Sequence, residues 1–257
     1  VKFANAELDE RRKELEEQTA ELTKVNADKD KFFSIVAHDL RGPFQPLLGL
    51  SEFLAETAHN ALPEDIQTMS DSIHRSAKNV YNLLENLLQW SRLQRGRIEH
   101  RPVRLNLMQV VELNVDLLTV NAMNKKVVLT NEVDSEVFVH ADRNMLDTVI
   151  RNLISNALKF TPSGGKVSIS TKTTDLESGS PLIEVSVADT GIGMNEEDVK
   201  KLFKIEVHHT TRGTQDERGS GLGLIICQEM VEKNGGRIWI ESEEEKGTVV
   251  KFTVPLG

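Results

Sequence analysis

Residues 152–160 read Asn152-Leu153-Ile154-Ser155-Asn156-Ala157-Leu158-Lys159-Phe160. The i, i+3 and i, i+4 relations place Asn152, Asn156 and Lys159 on one helical face, within a helix expected from about Arg143 to Phe160. Outward from it, strands and helices alternate. Short strands are expected near Val103–Leu105, Val127–Asn131 and Val137–Val139, with a helix across Leu107–Ala122. Further strands follow at Lys166–Thr173 and Leu182–Ala188, then a helix from about Gly221 to Lys233 and closing strands at Arg237–Glu241 and Thr248–Val254. Strands and helices mixed in this way predict an α/β sandwich with helices on one face. Gly164-Gly165, Gly235-Gly236 and Gly247 read as turn glycines.

Three stretches of this unit carry groups suited to a nucleotide and its metal. On the central helix, a carboxamide oxygen can ligate magnesium and a lysine can meet phosphate oxygens; taken alone, the same face is also a plain polar stripe. At the end of an apolar strand stands Asp189-Thr190-Gly191-Ile192-Gly193-Met194. Its carboxylate can accept from an exocyclic amine, and its glycines allow close approach to a flat base. The bland alternative is a tight turn with an Asx bond. Gly219-Ser220-Gly221-Leu222-Gly223-Leu224 runs straight into an apolar helix, where open amides and the helix dipole make an anion site. No strand immediately precedes it, so it is not a dinucleotide fingerprint.

The N-terminal part is organised differently. Leu8, Leu15 and Leu22 are seven apart, with Val25 and Phe32 on the alternate seam, a heptad pattern that Arg11, Gln18 and Lys29 interrupt. Either a weak two-stranded coil or one solvated helix satisfies it. The apolar pattern continues through Phe32, Phe33, Ile35, Val36 and Leu40, so one long helix carries His38. Pro43 and Pro46 fall within it and predict a bend. The helix should end between His59 and Pro63, and a second one should run from about Glu64 to Arg95, with Met69, Ile73, Val80, Leu84, Leu87, Leu88 and Leu93 as its apolar face. Such a hairpin leaves one apolar stripe uncovered. Pairing two hairpins into a four-helix bundle buries it, which predicts a homodimer.

The bulk numbers exclude several classes. With 257 residues, two units are expected. The formal net charge of -9 leaves no basic surface for a polyanionic backbone, so nucleic acid is not an expected partner. Cys227 is the sole cysteine, which rules out an internal disulfide and fits a reducing, cytoplasmic setting. No apolar run approaches the ~20 residues that cross a bilayer. A start at Val1 predicts an excised fragment from which an upstream sensor domain is missing.

The order of these stretches resembles the ATP-binding unit of histidine kinases, within the wider group of gyrase, mismatch-repair and heat-shock chaperone ATPases. Phe33-Ser34-Ile35-Val36-Ala37-His38-Asp39-Leu40-Arg41-Gly42-Pro43 resembles that family's phosphoacceptor box. The resemblance implies a coiled-coil signalling helix over residues 1–30, a dimerisation and phosphotransfer hairpin over 31–97, and a catalytic ATP-binding domain over 98–257. It implies ATP and Mg2+ as cofactors. Asn156 would ligate magnesium, with Asn152 beside it and Lys159 on phosphate, and Phe160 stands where the family has an aromatic ring. Asp189 would read the adenine amine, Gly191 and Gly193 would shape that wall, and Thr248 would act through water. Gly219, Gly221 and Gly223 would hold the phosphates beneath a lid running from Lys204 to Arg218, after a phenylalanine box at Leu202-Phe203.

An isolated helical histidine is commonly a core residue, but a neutral imidazole is also a competent nucleophile near neutral pH, and an adjacent acid can orient it and take its proton. Asp39 is that acid in the family reading, although helix neighbours point about 100° apart. The implied reaction is autophosphorylation of His38, followed by transfer to an aspartate on a response-regulator receiver domain. Relatives carry Thr or Asn four positions after the histidine, to hold a water for dephosphorylating the partner; Gly42 stands there, so weak phosphatase activity is expected. Adjacent His208-His209 have poor ligand spacing, and no structural metal is expected. A related ATPase or serine kinase, or a dimerisation scaffold with a degenerate nucleotide site, remains as the competing reading.

Overall fold

A computed structural model describes residues 11–13, 15, 16, 18, 19, 23, 37, 40–94, 99–174, 181–203, 213–215, 217 and 221–257. The heptad residues Leu8, Leu22, Val25 and Phe32, together with His38, Asp39, Gly219 and most of the expected lid, lie outside them. The chain divides into two compact units, Val1–Val80 and Tyr81–Gly257.

The first unit is helical. Residues 40–57 form a helix, α1, that continues through Pro43 and Pro46. A short connection leads to α2, Pro63–Gln94. Proline opens this helix because the first-turn amide it lacks would be unpaired in any case. Glu64 and Asp65 then face the positive end of the helix dipole, and Arg92 stands in the last turn. Val80 is buried, while Leu48 and Phe53 of α1 are exposed. Further along α2, in the second unit, Leu83 is buried and Leu84 and Leu88 are exposed. Among the described residues, no helix is long and apolar enough to cross a membrane.

The second unit is an α/β arrangement. After β1 (Pro102–Asn106) come α3 (Leu107–Lys125), β2 (Val128–Glu132), β3 (Phe138–Asp142), α4 (Arg143–Phe160), β4 (Lys166–Thr174) and β5 (Leu182–Asp189). The short α5 (Glu196–Val199), which has no apolar periodicity to announce it, precedes α6 (Gly223–Lys233), β6 (Ile238–Glu243) and β7 (Gly247–Pro255). β1 and β3 pair in a small sheet, and the main sheet runs β2-β4-β5-β7-β6. Only the β2–β4 pairing in it is parallel.

Period-two burial fixes the layers. Val167 and Ile169 of β4, Ile183, Val185 and Val187 of β5, and Val250, Phe252 and Val254 of β7 are buried. The register sets Ile169 opposite Val187 and Val187 opposite Val250, so these side chains share one face. α4 packs on β4 and β5, α3 on β2, and α6 on β6 and β7. α4 covers the centre because Met145, Leu146, Val149, Ile150, Leu153, Ile154, Ala157 and Leu158 are all buried, at the spacing of one helical stripe. Truncating one of its large members to alanine costs about 2–5 kcal/mol. Asp142 starts this helix, its Oδ1 accepting from the Met145 amide at 3.1 Å. Asn106 does the same for α3.

Candidate active site

The site is built around α4. Asn152, Asn156, Lys159 and Phe160 are half-buried along one edge of its buried stripe, where they meet other elements without entering the core. Among the described residues, the Asn152 and Asn156 carboxamides make no hydrogen bond to the protein, so both remain available to a ligand. The N-terminus of α6 lies beside them: a Cβ added to Gly223 would stand 3.5 Å from Asn152 Oδ1. Leu222, which caps α6, has no side-chain oxygen to offer the first-turn amides. Gly221 turns the chain into the helix at φ +66°, a conformation that favours glycine. The structure thus brings together the helix carrying the asparagines and the helix opened by Gly221 and Gly223.

Asp189 continues the alternation of Ile183, Val185 and Val187, which directs its carboxylate to the helix-covered face of the sheet. Burial there pushes its pKa up, from 3.8 to about 6, although the Gly191 and Thr248 amides oppose the shift. Both amides donate to the same oxygen, Oδ1, at 2.8 and 3.2 Å, which leaves Oδ2 for an incoming donor. Thr248 is buried, directly opposite Asp189 on β7, and its hydroxyl lies 2.9 Å from Ser242 Oγ.

The loop after Asp189 is pinned on several sides. Ile192 donates to Phe160 O at 3.2 Å, and its own carbonyl accepts from Glu245 at 2.8 Å. Thr190 exchanges hydrogen bonds with Lys166, its hydroxyl accepting from the Lys166 amide at 2.9 Å. Two glycines let the loop fit. A Cβ at Gly191 would stand 2.6 Å from Phe160 O, and one at Gly193, where φ is +64°, would overlap the backbone carbonyl of Glu243.

Lys159 Nζ lies 4.5 Å from the Phe160 ring centroid. Burial lowers its pKa, and the nearby Lys125 lowers it further, against the opposing charge of Glu217. Neither Lys125 nor the specific place of Glu217 was visible beforehand. Lys125-Lys126 at a helix end reads as a solvated pair, and Glu217 falls in a polar stretch with no periodic signal. Ser242 likewise carries no pattern.

Asn156 suits a hard cation: its carboxamide oxygen has no protein partner among the described residues, and it lies one helical turn from Asn152, which stands beside the α6 terminus. No group of three or more His, Cys, Asp or Glu side chains capable of holding a metal occurs among the described residues. A magnesium site made from one protein oxygen and substrate phosphates fits this donor set.

Residues 141–257 match the family described as Histidine kinase-, DNA gyrase B-, and HSP90-like ATPase, a domain that uses ATP. Residues 28–96 match the His Kinase A (phospho-acceptor) domain. The sensor histidine kinase WalK of Bacillus subtilis is 31% identical over 238 residues, covering 91% of this chain and 38% of the relative. The histidine protein kinase DivJ of Caulobacter vibrioides is 30% identical over 231 residues, covering 90% of this chain and 38% of the relative. The chain therefore spans 38% of the length of each of these curated relatives. Among solved structures, histidine kinase ThkA in complex with the response regulator protein TrrA is similar with a TM-score of 0.67 and 25% identity, over 88% of this chain and 61% of that chain.

Proposed function

This chain belongs to the sensor histidine kinases of two-component systems, and on that footing we propose that it transfers the γ-phosphoryl group of ATP to His38. The observation that carries the proposal is the presence in one chain of a phosphoacceptor match followed by an ATPase match. An imidazole nitrogen of His38 attacks the γ-phosphorus as the bond to the β-phosphate oxygen breaks. ADP leaves, and Asp39 takes the imidazole proton. The phosphoramidate then passes its phosphoryl group to an aspartate carboxylate on a response-regulator receiver domain.

In this reading Asp189 accepts a hydrogen bond from the adenine amine, Gly191 and Gly193 shape the base-binding wall, and Thr248 holds a water against it. Phe160 packs beside the nucleotide. Lys159 and the amides around Gly219, Gly221 and Gly223 receive the phosphates, where fixed donors stabilise a loose, charge-spread transition state. Magnesium, held by Asn156 with Asn152 alongside, would neutralise charge on the β- and γ-phosphates. We assign signalling to residues 1–30, phosphotransfer to 31–97 and catalysis to 98–257. The exposed Leu84 and Leu88 of α2 support a homodimer, in which a second hairpin covers them. The catalytic portion works in the cytoplasm.

The test is incubation of the wild-type chain and the His38→Gln variant with γ-labelled ATP. Acid-labile label on the wild type and none on the variant is expected. Label retained by His38→Gln overturns the assignment, and an acid-stable product points instead to a serine kinase.

A further inference from the structure

The carbonyls in the last turn of any helix lack intrahelical partners, and in α4 each has found one. Ala157 O accepts from the Thr161 amide at 3.0 Å and its hydroxyl at 2.6 Å. Leu158 O and Lys159 O accept from Lys125 Nζ at 2.8 and 2.7 Å. Phe160 O is held by Ile192. Lys159 O also receives the Thr214 amide at 3.1 Å and its hydroxyl at 3.2 Å.

Lys125 is the unusual member. It is only 6% exposed, and its remaining donor meets Glu217 Oε1 at 2.6 Å, so the ammonium group is fully used. Glu217 Oε2 accepts from the Gln215 amide at 2.7 Å, and Glu217 O accepts from the Gly213 amide at 2.8 Å. Gly213 lies so close to α4 that a Cβ there would stand 2.6 Å from Lys159 Cγ and 2.8 Å from Lys159 O. One buried cation therefore ties the end of α3, the end of α4 and Glu217 together. A buried charge left without its partner is costly, so this junction is far less permissive than a surface ion pair.

We propose that Lys125 and Glu217 form a clasp that fastens residues 213–215 and 217 to the C-terminal end of α4, making Lys125 a positioning residue for Lys159. The positioning role rests on the ATP-binding reading above. The clasp itself does not, because every donor and acceptor in it belongs to the chain. The ion pair lies immediately behind the backbone that carries Lys159, since the same ammonium group donates to Lys159 O at 2.7 Å.

The test uses the 257-residue chain in Lys125→Met, Glu217→Gln, Thr214→Val and the Lys125→Met/Glu217→Gln double variant. Amide hydrogen exchange without nucleotide is expected to rise about tenfold or more at Gly213, Thr214 and Gln215, with Val185 and Val187 of β5 unchanged. The double variant should be no worse than the worse single one, since both remove the same contact. In autophosphorylation, KM for ATP is expected to rise about tenfold while kcat changes less than about twofold. Unchanged exchange at 213–215 in both Glu217→Gln and Thr214→Val overturns the clasp, as does acceleration that spreads equally into β5. An unchanged KM overturns the positioning role. A wild-type chain that binds no ATP sinks the preceding section's reading, whereas unchanged exchange with ATP binding intact sinks this one.

Discussion

Asp189 and Thr248 face each other across β5 and β7, and the Thr248 amide donates to Asp189 Oδ1 at 3.2 Å. The carboxylate is thereby held at the edge of an apolar stripe, where an ionised group is costly and a donor such as an adenine amine is well received.

Asp189→Asn is expected to raise stability at neutral pH while abolishing ATP binding. Asparagine keeps an acceptor oxygen for both amides but carries no charge. Because the folded-state pKa is raised from 3.8 to about 6, the native state holds the proton more tightly than the unfolded chain. The wild type therefore loses stability as pH rises through that window and levels off above it. Denaturant titrations from pH 4 to 8 should show the variant's advantage growing up to about pH 6 and constant thereafter; a difference independent of pH contradicts this.

Gly193→Ala should destabilise the chain by about 2 kcal/mol or more, since a side chain at φ +64° must also displace the Glu243 carbonyl. Chemical denaturation of the purified variant reads this directly, and an unchanged midpoint would show that the loop moves freely.

Gly223→Ala separates folding from binding. The added methyl would meet Asn152 Oδ1 at an ordinary 3.5 Å, and alanine is the better helix former by up to about 1 kcal/mol. Stability should be unchanged or higher, with ATP affinity reduced about tenfold if this terminus receives the phosphates as proposed. Calorimetric titration with ATP beside a thermal melt checks both halves.

Gly42 occupies the described helix α1 without a side chain to hold a water. The purified chain is expected to dephosphorylate a phosphorylated receiver domain slowly, and Gly42→Thr to accelerate it severalfold. Rapid dephosphorylation by the wild type refutes the expectation.

Much of the architecture was legible from local patterns. Arg143–Phe160 was expected as a helix and is one, because its apolar spacing, its capping Asp142 and its helix-forming composition agree. The strand at Lys166–Thr173 extends one residue further, to Thr174, and Leu182–Ala188 extends to Asp189; ladder pairing sets such ends, and propensity does not record it. Gly191 and Gly193 stood out as glycines that would let a flat base approach. The atoms that leave no room for a side chain at these positions, Phe160 O and Glu243 O, lie elsewhere in the chain.

Periodicity, capping and turn chemistry act over a few residues, so helices, strands and the candidate nucleotide boxes could be read along the chain without coordinates. Which of those pieces touch is a matter of topology. Thr248 lies 59 positions from the carboxylate it supports, and Glu217 lies 92 positions from the lysine it neutralises. Neither contact follows from periodicity, although the family resemblance had already put Asp189 and Thr248 at one base; the free energy that selects each contact comes from desolvating and mutually satisfying groups that only the assembled sheet and helices bring within bonding distance.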